Sequence, residues 1–226
     1  MRLVTWNVHR GRDQCGGDSL ENVGGILAHE NADVIALQEV PSEAWVTGLA
    51  KRLGLMSRSN MPAGVAILYR SCMLMHSSVS FLYTPACRAT PRGGVLVSFS
   101  NPDMTMICTH LSAHASMVAQ HSEARELAKR VEGIQGDVFV MGDMNAHSAS
   151  PVLKTLYGTG LRDLWLGARE RPHGYLNGCT FPAKRAFQRI DYVMCRSSDV
   201  VSVKAVVVSD PVSDHRRLVI DTTPNQ

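Results

Sequence analysis

The stretch Asp137-Val138-Phe139-Val140-Met141-Gly142-Asp143-Met144-Asn145-Ala146-His147 decides how the chain is read. Val138 to Met141 is an apolar run with β-branched and aromatic residues, too short for a helix, and is expected to be a buried strand ended by Gly142. An acid and an amide, Asp143 and Asn145, follow directly, one residue apart. In extended backbone, residues i and i+2 project to the same side. The spacing therefore predicts a carboxylate able to take a proton from water and an amide able to bind a phosphate oxygen, aimed at one spot. Gly, Asp and Asn also form plain turns, so the surrounding chain must separate the two readings.

Working outward, a helical segment from about Ser116 to Glu132 precedes this strand. Before that, the runs Gly64 to Arg70, Val79 to Tyr83, Gly94 to Ser100 and Met104 to Thr109 are separated by turn residues, which predicts an antiparallel meander. The last run ends in Thr109-His110-Leu111-Ser112. Nearer the N-terminus, Leu3 to Trp6 reads as a strand ending at Asn7, and a helix follows from Ser19 to about Glu30. Asp33 to Leu37 is a second buried strand, with Gln38-Glu39 at its end. Strand, helix, strand is a βαβ pattern. Ser42 to Leu53 reads as another helix, with Pro41 before it and Gly54 after it. Beyond the central strand, Pro151 to Tyr157 and Leu161 to Leu166 are expected as short helices. The loop from Gly167 to Pro182, with Arg169, Arg171, His173, Tyr175 and Asn177, is long enough to face a substrate. Ile190 to Cys195, Val200 to Val208 and Leu218 to Ile220 close the sheet, with Ser213-Asp214-His215 as a turn.

At 226 residues, 45% hydrophobic and 19% charged, the composition is that of a globular protein, with no apolar run long enough to span a bilayer. No linker or low-complexity tract interrupts residues 1–226, so a single domain is expected, and a monomer. No signal peptide is visible, which leads us to expect an intracellular protein. Cys15, Cys72, Cys87, Cys108, Cys179 and Cys195 have no zinc spacing and are expected to be buried free thiols. A net charge of +3 is compatible with a polyanionic partner without requiring one.

The polar residues at strand ends are Asn7, Glu39, His110, Asp143, Asn145, Asp191 and the pair Asp214-His215. In a layered α/β protein such ends gather at one edge, where clefts form. Their types suit phosphoester hydrolysis, which needs a cation held by oxygen ligands, a base for water, and donors for developing charge. Singly, each has a plainer reading: Asn7 and Asn145 as turn formers, Asp214 as a turn cap, Asp191 paired with Arg189.

Thr5-Trp6-Asn7, Leu37-Gln38-Glu39, Thr109-His110-Leu111, Gly142-Asp143-Met144-Asn145, Arg189-Ile190-Asp191-Tyr192 and Ser213-Asp214-His215 resemble, in order, the motifs of the endonuclease/exonuclease/phosphatase superfamily, the DNase I-like group. The resemblance implies an α/β fold in four layers, a α/β/β/α sandwich of two packed mixed β-sheets with helices outside. It implies Glu39 as the principal Mg²⁺ carboxylate with Asn7 beside it, Asp214 in support, and Mn²⁺ as a substitute. Asp143 resembles the group that orients and deprotonates the attacking water, and Asn145 a phosphate contact. His215 is similar to the catalytic histidine, with Asp191 fixing its tautomer, and His110 matches a second histidine of the deoxyribonuclease and phosphodiesterase branches.

The expected activity is that of a Mg²⁺-dependent phosphodiesterase, a nuclease with DNA or another nucleic acid as substrate and no membrane partner. The alternatives are a 5′-tyrosyl-DNA phosphodiesterase-like repair enzyme, a phospholipid or small-molecule phosphoesterase, and a non-catalytic binding protein. Val40-Pro41 replaces the Thr-Lys of abasic-site endonucleases, and Gln188-Arg189-Ile190-Asp191 lacks the Cys-Asp-Arg of inositol polyphosphate 5-phosphatases. The approach to the Gly64 strand reads Asn60-Met61-Pro62-Ala63, without the glutamate that partners the first histidine in secreted deoxyribonuclease. Arg92 is expected as a surface arginine beside a turn or as a phosphate contact. His9, His114, His121, His147 and His173 are expected to be solvated or to stand behind the site.

Overall fold

A computed structural model describes all residues except 13–16, 18, 85–89, 114–116, 173–177, 211 and 225–226. Twelve strands form two six-stranded sheets among the described residues. The first sheet holds β1 (Arg2–Asn7), β2 (Val34–Gln38), β3 (Met56–Asn60), β4 (Val65–Tyr69), β11 (Val200–Val208) and β12 (Arg217–Pro224) in the order β11-β12-β1-β2-β4-β3. The second holds β5 (Leu74–Leu82), β6 (Gly93–Asn101), β7 (Asp103–His110), β8 (Asp137–Asp143), β9 (Arg162–Asp163) and β10 (Asp191–Arg196) in the order β5-β6-β7-β8-β10-β9. In each sheet one parallel pair, β1 with β2 and β7 with β8, sits among antiparallel neighbours, so both sheets are mixed.

The layering follows from side-chain alternation along buried strands. On β8, Phe139 and Met141 enter the core between the sheets, while Val138 and Val140 face the helix side. There they meet α3 (Met117–Glu132) and α4 (Pro151–Tyr157) through Leu127, Val131, Leu153 and Leu156. On β1, Leu3 faces the inter-sheet core, while Val4 and Trp6 pack against α1 (Leu20–Glu30) and α2 (Glu43–Leu53) through Val23, Leu27, Val46 and Leu49. A strand buried on both faces needs a layer on each side, and the result is helix, sheet, sheet, helix.

Three elements depart from the sequence reading. β3 is polar and mostly half-exposed, so no hydrophobic pattern marks it; backbone pairing with β4 makes it an edge strand. The stretch expected as a helix from Leu161 to Leu166 instead begins with β9. The short helix α5 (Leu164–Gly167) starts only where the Asp163 side chain accepts from Trp165 N–H, because Arg162 and Asp163 pair with β10. β12 runs past Ile220 to Pro224, since β11 pairs with it along that whole length. Cys108, Cys179 and Cys195 are buried free thiols, Cys72 is exposed, and Cys15 and Cys87 lie outside the described residues. Among the described residues no helix is long and apolar enough to cross a membrane.

Gly142 ties this packing to the chemistry beyond it. Its φ is 145°, and a Cβ there would come within 1.9 Å of the Thr109 carbonyl oxygen on β7. Gly142→Ala is therefore expected to lower stability by roughly 2–4 kcal/mol, because β7 and β8 would have to part beside Asp143. A denaturant midpoint unchanged from wild type would contradict this.

Candidate active site

The alternation that builds the core also aims the site. Met104, Met106 and Cys108 on β7 face the inter-sheet core, so His110 projects to the same side. By the same parity Asp143 follows Phe139 and Met141, Asp191 precedes Val193 and Cys195, and Asn7 follows Leu3. Register brings them level. His110 lies opposite Asp143 on the parallel β7/β8 pair, and Asp191 lies opposite Asp143 on the antiparallel β8/β10 pair. All four are buried.

Glu39 and Asn145 arrive differently. If β2 continued, Glu39 would point toward the helix layer, because Gln38 faces the other sheet and reaches Cys108 Sγ. Glu39 instead has φ of 55°, which ends the strand and swings its carboxylate to 3.4 Å from Asn7 Nδ2. Asn145, expected to share an extended strand with Asp143, has φ of 48°. β8 ends at Asp143, and the next turn is closed by Asn145 N–H donating to Asp143 Oδ1 at 2.8 Å. Gln120 on α3 holds the Asn145 carbonyl oxygen, and Asn145 Nδ2 donates to the Leu111 carbonyl oxygen at 3.0 Å. Left-handed backbone at non-glycine residues is uncommon and collects at functional sites.

Asp143 Oδ2 is the hub of the site. Asn7 Nδ2 donates to it at 3.1 Å, and the Nε2 atoms of His110 and His215 lie 3.4 and 3.7 Å away. Burial, followed by the nearby Asp191 carboxylate, pushes the Asp143 carboxyl up to about 7. His215 sits in the turn after β11, where Ser213 Oγ accepts its N–H and Trp6 Nε1 donates to its carbonyl oxygen. Its Nδ1–H donates to Asp191 Oδ2 at 2.9 Å. Burial alone would lower the His215 pKa, but Asp191, with Asp143 and Asp214 behind it, outweighs burial and raises it to about 10. Asp143, Asp191 and His215 lie close enough together to hold one cation, yet the short Asp191–His215 contact is that of a shared proton. Arg189 does not take Asp191; it pairs with Asp163 at 2.6 Å.

His110 is held from the other side. Arg92 Nη1 lies 2.8 Å from His110 Nδ1, which answers where the partner of this histidine is: Asn60 to Ala63 supply no carboxylate, and a guanidinium stands there instead. Burial, then Arg92 and His215, keeps the His110 pKa well below its ordinary value. Two further neighbours carry no motif. Phe181 packs on the His215 ring at 4.9 Å, and Thr180 Oγ1 accepts from Asp191 N–H at 3.3 Å. Nothing in the spacing of the sequence marked either residue.

Glu39 and Asp214 line a cavity of about 880 Å³ together with His9, Arg10, Arg12 and Arg92. The Glu39 side chain keeps 25% exposure, and Arg10 approaches it only to 3.9 Å. Asn7 turns its NH₂ toward Glu39 and Asp143, while its side-chain Oδ1 accepts from His9 N–H. Asp214 is half-buried, and its carboxylate has no hydrogen bond or ion pair among the described residues. Both carboxylates line the same cavity, with no thiolate among its lining residues, and carboxylate oxygen is a ligand type that hard divalent cations take. Of the remaining loop, Arg169 and Glu170 N–H groups bond to Ser202 and Val203 carbonyl oxygens, and Arg171 reaches the Trp165 carbonyl oxygen. His173, Tyr175 and Asn177 lie outside the described residues, as does His114.

Solved structures share this architecture. A mannosyl-6-phosphatase from Bacteroides thetaiotaomicron aligns over 99% of this chain and 99% of its own at 17% identity, with a TM-score of 0.82. The catalytic domain of human Nocturnin with a bound sulfate anion aligns over 100% of this chain and 94% of its own at 18% identity, TM-score 0.78. A humanized D. rerio TDP2 aligns over 99% and 98% at 19% identity, TM-score 0.74. At such identities the likeness is one of fold. No curated protein sequence matches the chain. The model of the Endonuclease/Exonuclease/phosphatase family matches residues 4–215, from the first motif on β1 to His215, and the chain therefore belongs to that family of phosphoester hydrolases.

Proposed function

We propose that this protein is a divalent-cation-dependent phosphodiesterase that hydrolyses nucleic acid, DNA foremost. The observation that carries the reading is the cavity joining the Glu39 and Asp214 carboxylates to Arg10, Arg12 and Arg92. Arg92 is held on His110; one phosphate beside a cation does not need the two further guanidinium groups of Arg10 and Arg12, whereas a polyanionic backbone does. Glu39 and Asp214 would hold Mg²⁺ or Mn²⁺; Asn7, expected beside the cation, turns its NH₂ to Glu39 and Asp143 and its amide oxygen to His9 N–H, and so keeps the two carboxylates in place. The cation, when bound, offsets charge on the phosphate oxygens. Asp143, with a pKa near neutrality, orients water and accepts its proton. His215, kept protonated by Asp191, faces the same spot and stabilises the charge that develops on phosphorus-bound oxygen. His110 and Asn145 add two more donors from the β7 and β8 ends.

Glu39→Ala is expected to reduce turnover by roughly 10²-fold or more, and exhaustive chelation to abolish it, with recovery on adding Mg²⁺ or Mn²⁺. A panel of plasmid, linear and single-stranded DNA, RNA, abasic and 5′-tyrosyl oligonucleotides, sphingomyelin, inositol phosphates and sugar phosphates tests the substrate. Salt-sensitive cleavage of nucleic acid without strong base preference is the expected result. Turnover confined to sphingomyelin or to a soluble phosphomonoester would overturn the nuclease reading.

A further inference from the structure

The two histidines of the site are held at Nδ1 by groups of opposite charge. His215 Nδ1 meets the Asp191 carboxylate at 2.9 Å, and His110 Nδ1 meets the Arg92 guanidinium at 2.8 Å. A guanidinium has N–H donors and no acceptor. His110 Nδ1 must therefore be the lone-pair nitrogen, and the ring proton must sit on Nε2.

We propose that Arg92 is a positioning residue which locks His110 in its neutral, Nε2-protonated form, so that His110 serves as a fixed hydrogen-bond donor to a substrate phosphate oxygen and never as a proton carrier. The proposal rests on the phosphodiesterase reading for the identity of that ligand, while the tautomer itself stands independently.

Three observations support it. First, Arg92 is placed by backbone. Tyr83 N–H donates to its carbonyl oxygen, and the next residue, Gly93, lies opposite His110 in the β6/β7 register. A Cβ on Gly93 would come 2.1 Å from the Phe81 carbonyl oxygen, so this close approach of β5 and β6 requires glycine just after Arg92. Thr109 Oγ1 donates to the Gly93 carbonyl oxygen at 2.8 Å, and Asn60 Nδ2 donates to that of Gly94 at 2.9 Å.

Second, a protonated Nδ1 would set two donors, and two like charges, 2.8 Å apart in a buried place. The His110 side chain is 1% exposed, so water cannot separate them.

Third, the donor fixed on Nε2 has a neighbour of its own kind. Asn145 Nδ2 lies 3.1 Å from His110 Nε2 and already spends one hydrogen on the Leu111 carbonyl oxygen. With Nε2 protonated, Nε2–H and the second amide hydrogen stand side by side, and Asp143 Oδ2, 3.4 Å from Nε2, is too far to take that hydrogen in a short bond. Such a pair suits an anionic oxygen. The two histidines then divide the work: His215 carries charge, and His110 supplies direction without charge.

The test starts on the wild-type protein with no substrate or metal. In ¹⁵N-histidine-labelled protein, long-range ¹⁵N–¹H correlations should show His110 unprotonated at Nδ1 and protonated at Nε2 from pH 5.5 to 8.5, assigned by loss of the signals in His110→Gln. Arg92→Met should release the lock and give mixed tautomers. With bis(p-nitrophenyl) phosphate and Mn²⁺, Arg92→Met should lower kcat by roughly 10–100-fold with little change in KM. Arg92→Lys, which keeps a cationic donor, should restore part of the rate. Arg92→Glu should add an ionisation to the pH–rate profile, because Nδ1 would then be protonated. A His110 proton on Nδ1 in the wild-type protein overturns the proposal, and that spectrum needs neither a folded variant nor the correct substrate. Loss of rate in Arg92→Met with the tautomer unchanged also overturns it.

Discussion

Asp191→Asn and His215→Ala are each expected to cost roughly 10²–10⁴-fold in turnover, and the double variant little more than the worse of the two. The two side chains share one hydrogen bond at 2.9 Å in a buried setting. His215 is charged at neutral pH only because Asp191, backed by Asp143 and Asp214, outweighs the burial that would discharge it. An asparagine cannot supply that charge, so Asp191→Asn should act by discharging His215 where the phosphate charge develops. Substrate affinity should change far less than turnover, because the contact strengthens in the transition state. The competing structural role has lost its partner: Arg189 is engaged by Asp163. Turnover, affinity and melting temperature of the three variants decide the matter. Fully additive rate losses, or a variant that unfolds while keeping its rate per folded molecule, would remove the dyad from the mechanism.

Asp143→Asn is expected to abolish measurable turnover, a loss of roughly 10³-fold or more, and to remove from the metal-free protein a loss of stability that sets in between about pH 4 and 7. This pH dependence follows from the direction of its shift. The Asp143 carboxyl titrates near 7 in the fold, raised first by burial and then by Asp191, against an ordinary value near 4. The folded state holds a proton that the unfolded chain releases. The stability linked to Asp143 is thus full below about pH 4 and is lost as pH rises through about 7. His215 runs in the same direction at higher pH: its pKa of about 10 means stability present below the usual histidine range and lost as pH rises through about 10. In chelator, the melting temperature of the wild type should fall relative to Asp143→Asn between pH 4 and 7. The difference between the two curves should then level off. A wild-type melting temperature that ran parallel to that of Asp143→Asn across this range would mean that the Asp143 charge costs the fold nothing, contrary to its burial.

Such a cost at the centre of the site explains why parts of it could be read from sequence and parts could not. The apolar run Val138 to Met141 and its counterparts at Leu3, Asp33 and Met104 alternate between two buried faces, and that pattern demands the four layers observed. It also sets the side to which Asn7, His110, Asp143 and Asp191 point, because side-chain direction in a strand has a period of two. Local rules failed where the backbone leaves the strand. Glu39 and Asn145 turn through left-handed φ of 55° and 48°, which the spacing of Asp143 and Asn145 did not disclose. The polar edge strand β3 and the two-residue β9 lack any apolar period and exist because a neighbouring strand offers free backbone groups.

What the sequence by itself determined is the set of strand-end residues and the family motifs they form. What only the tertiary structure decided is the charge that meets each of them. His110 and Arg92 are 18 residues apart, His215 and Asp191 are 24 apart, and Asn7 and Asp143 are 136 apart. These contacts depend on strand register and on the stacking of two sheets. An electrostatic contact is set by distance in space and by exclusion of water, and neither is carried by the order of residues along one strand.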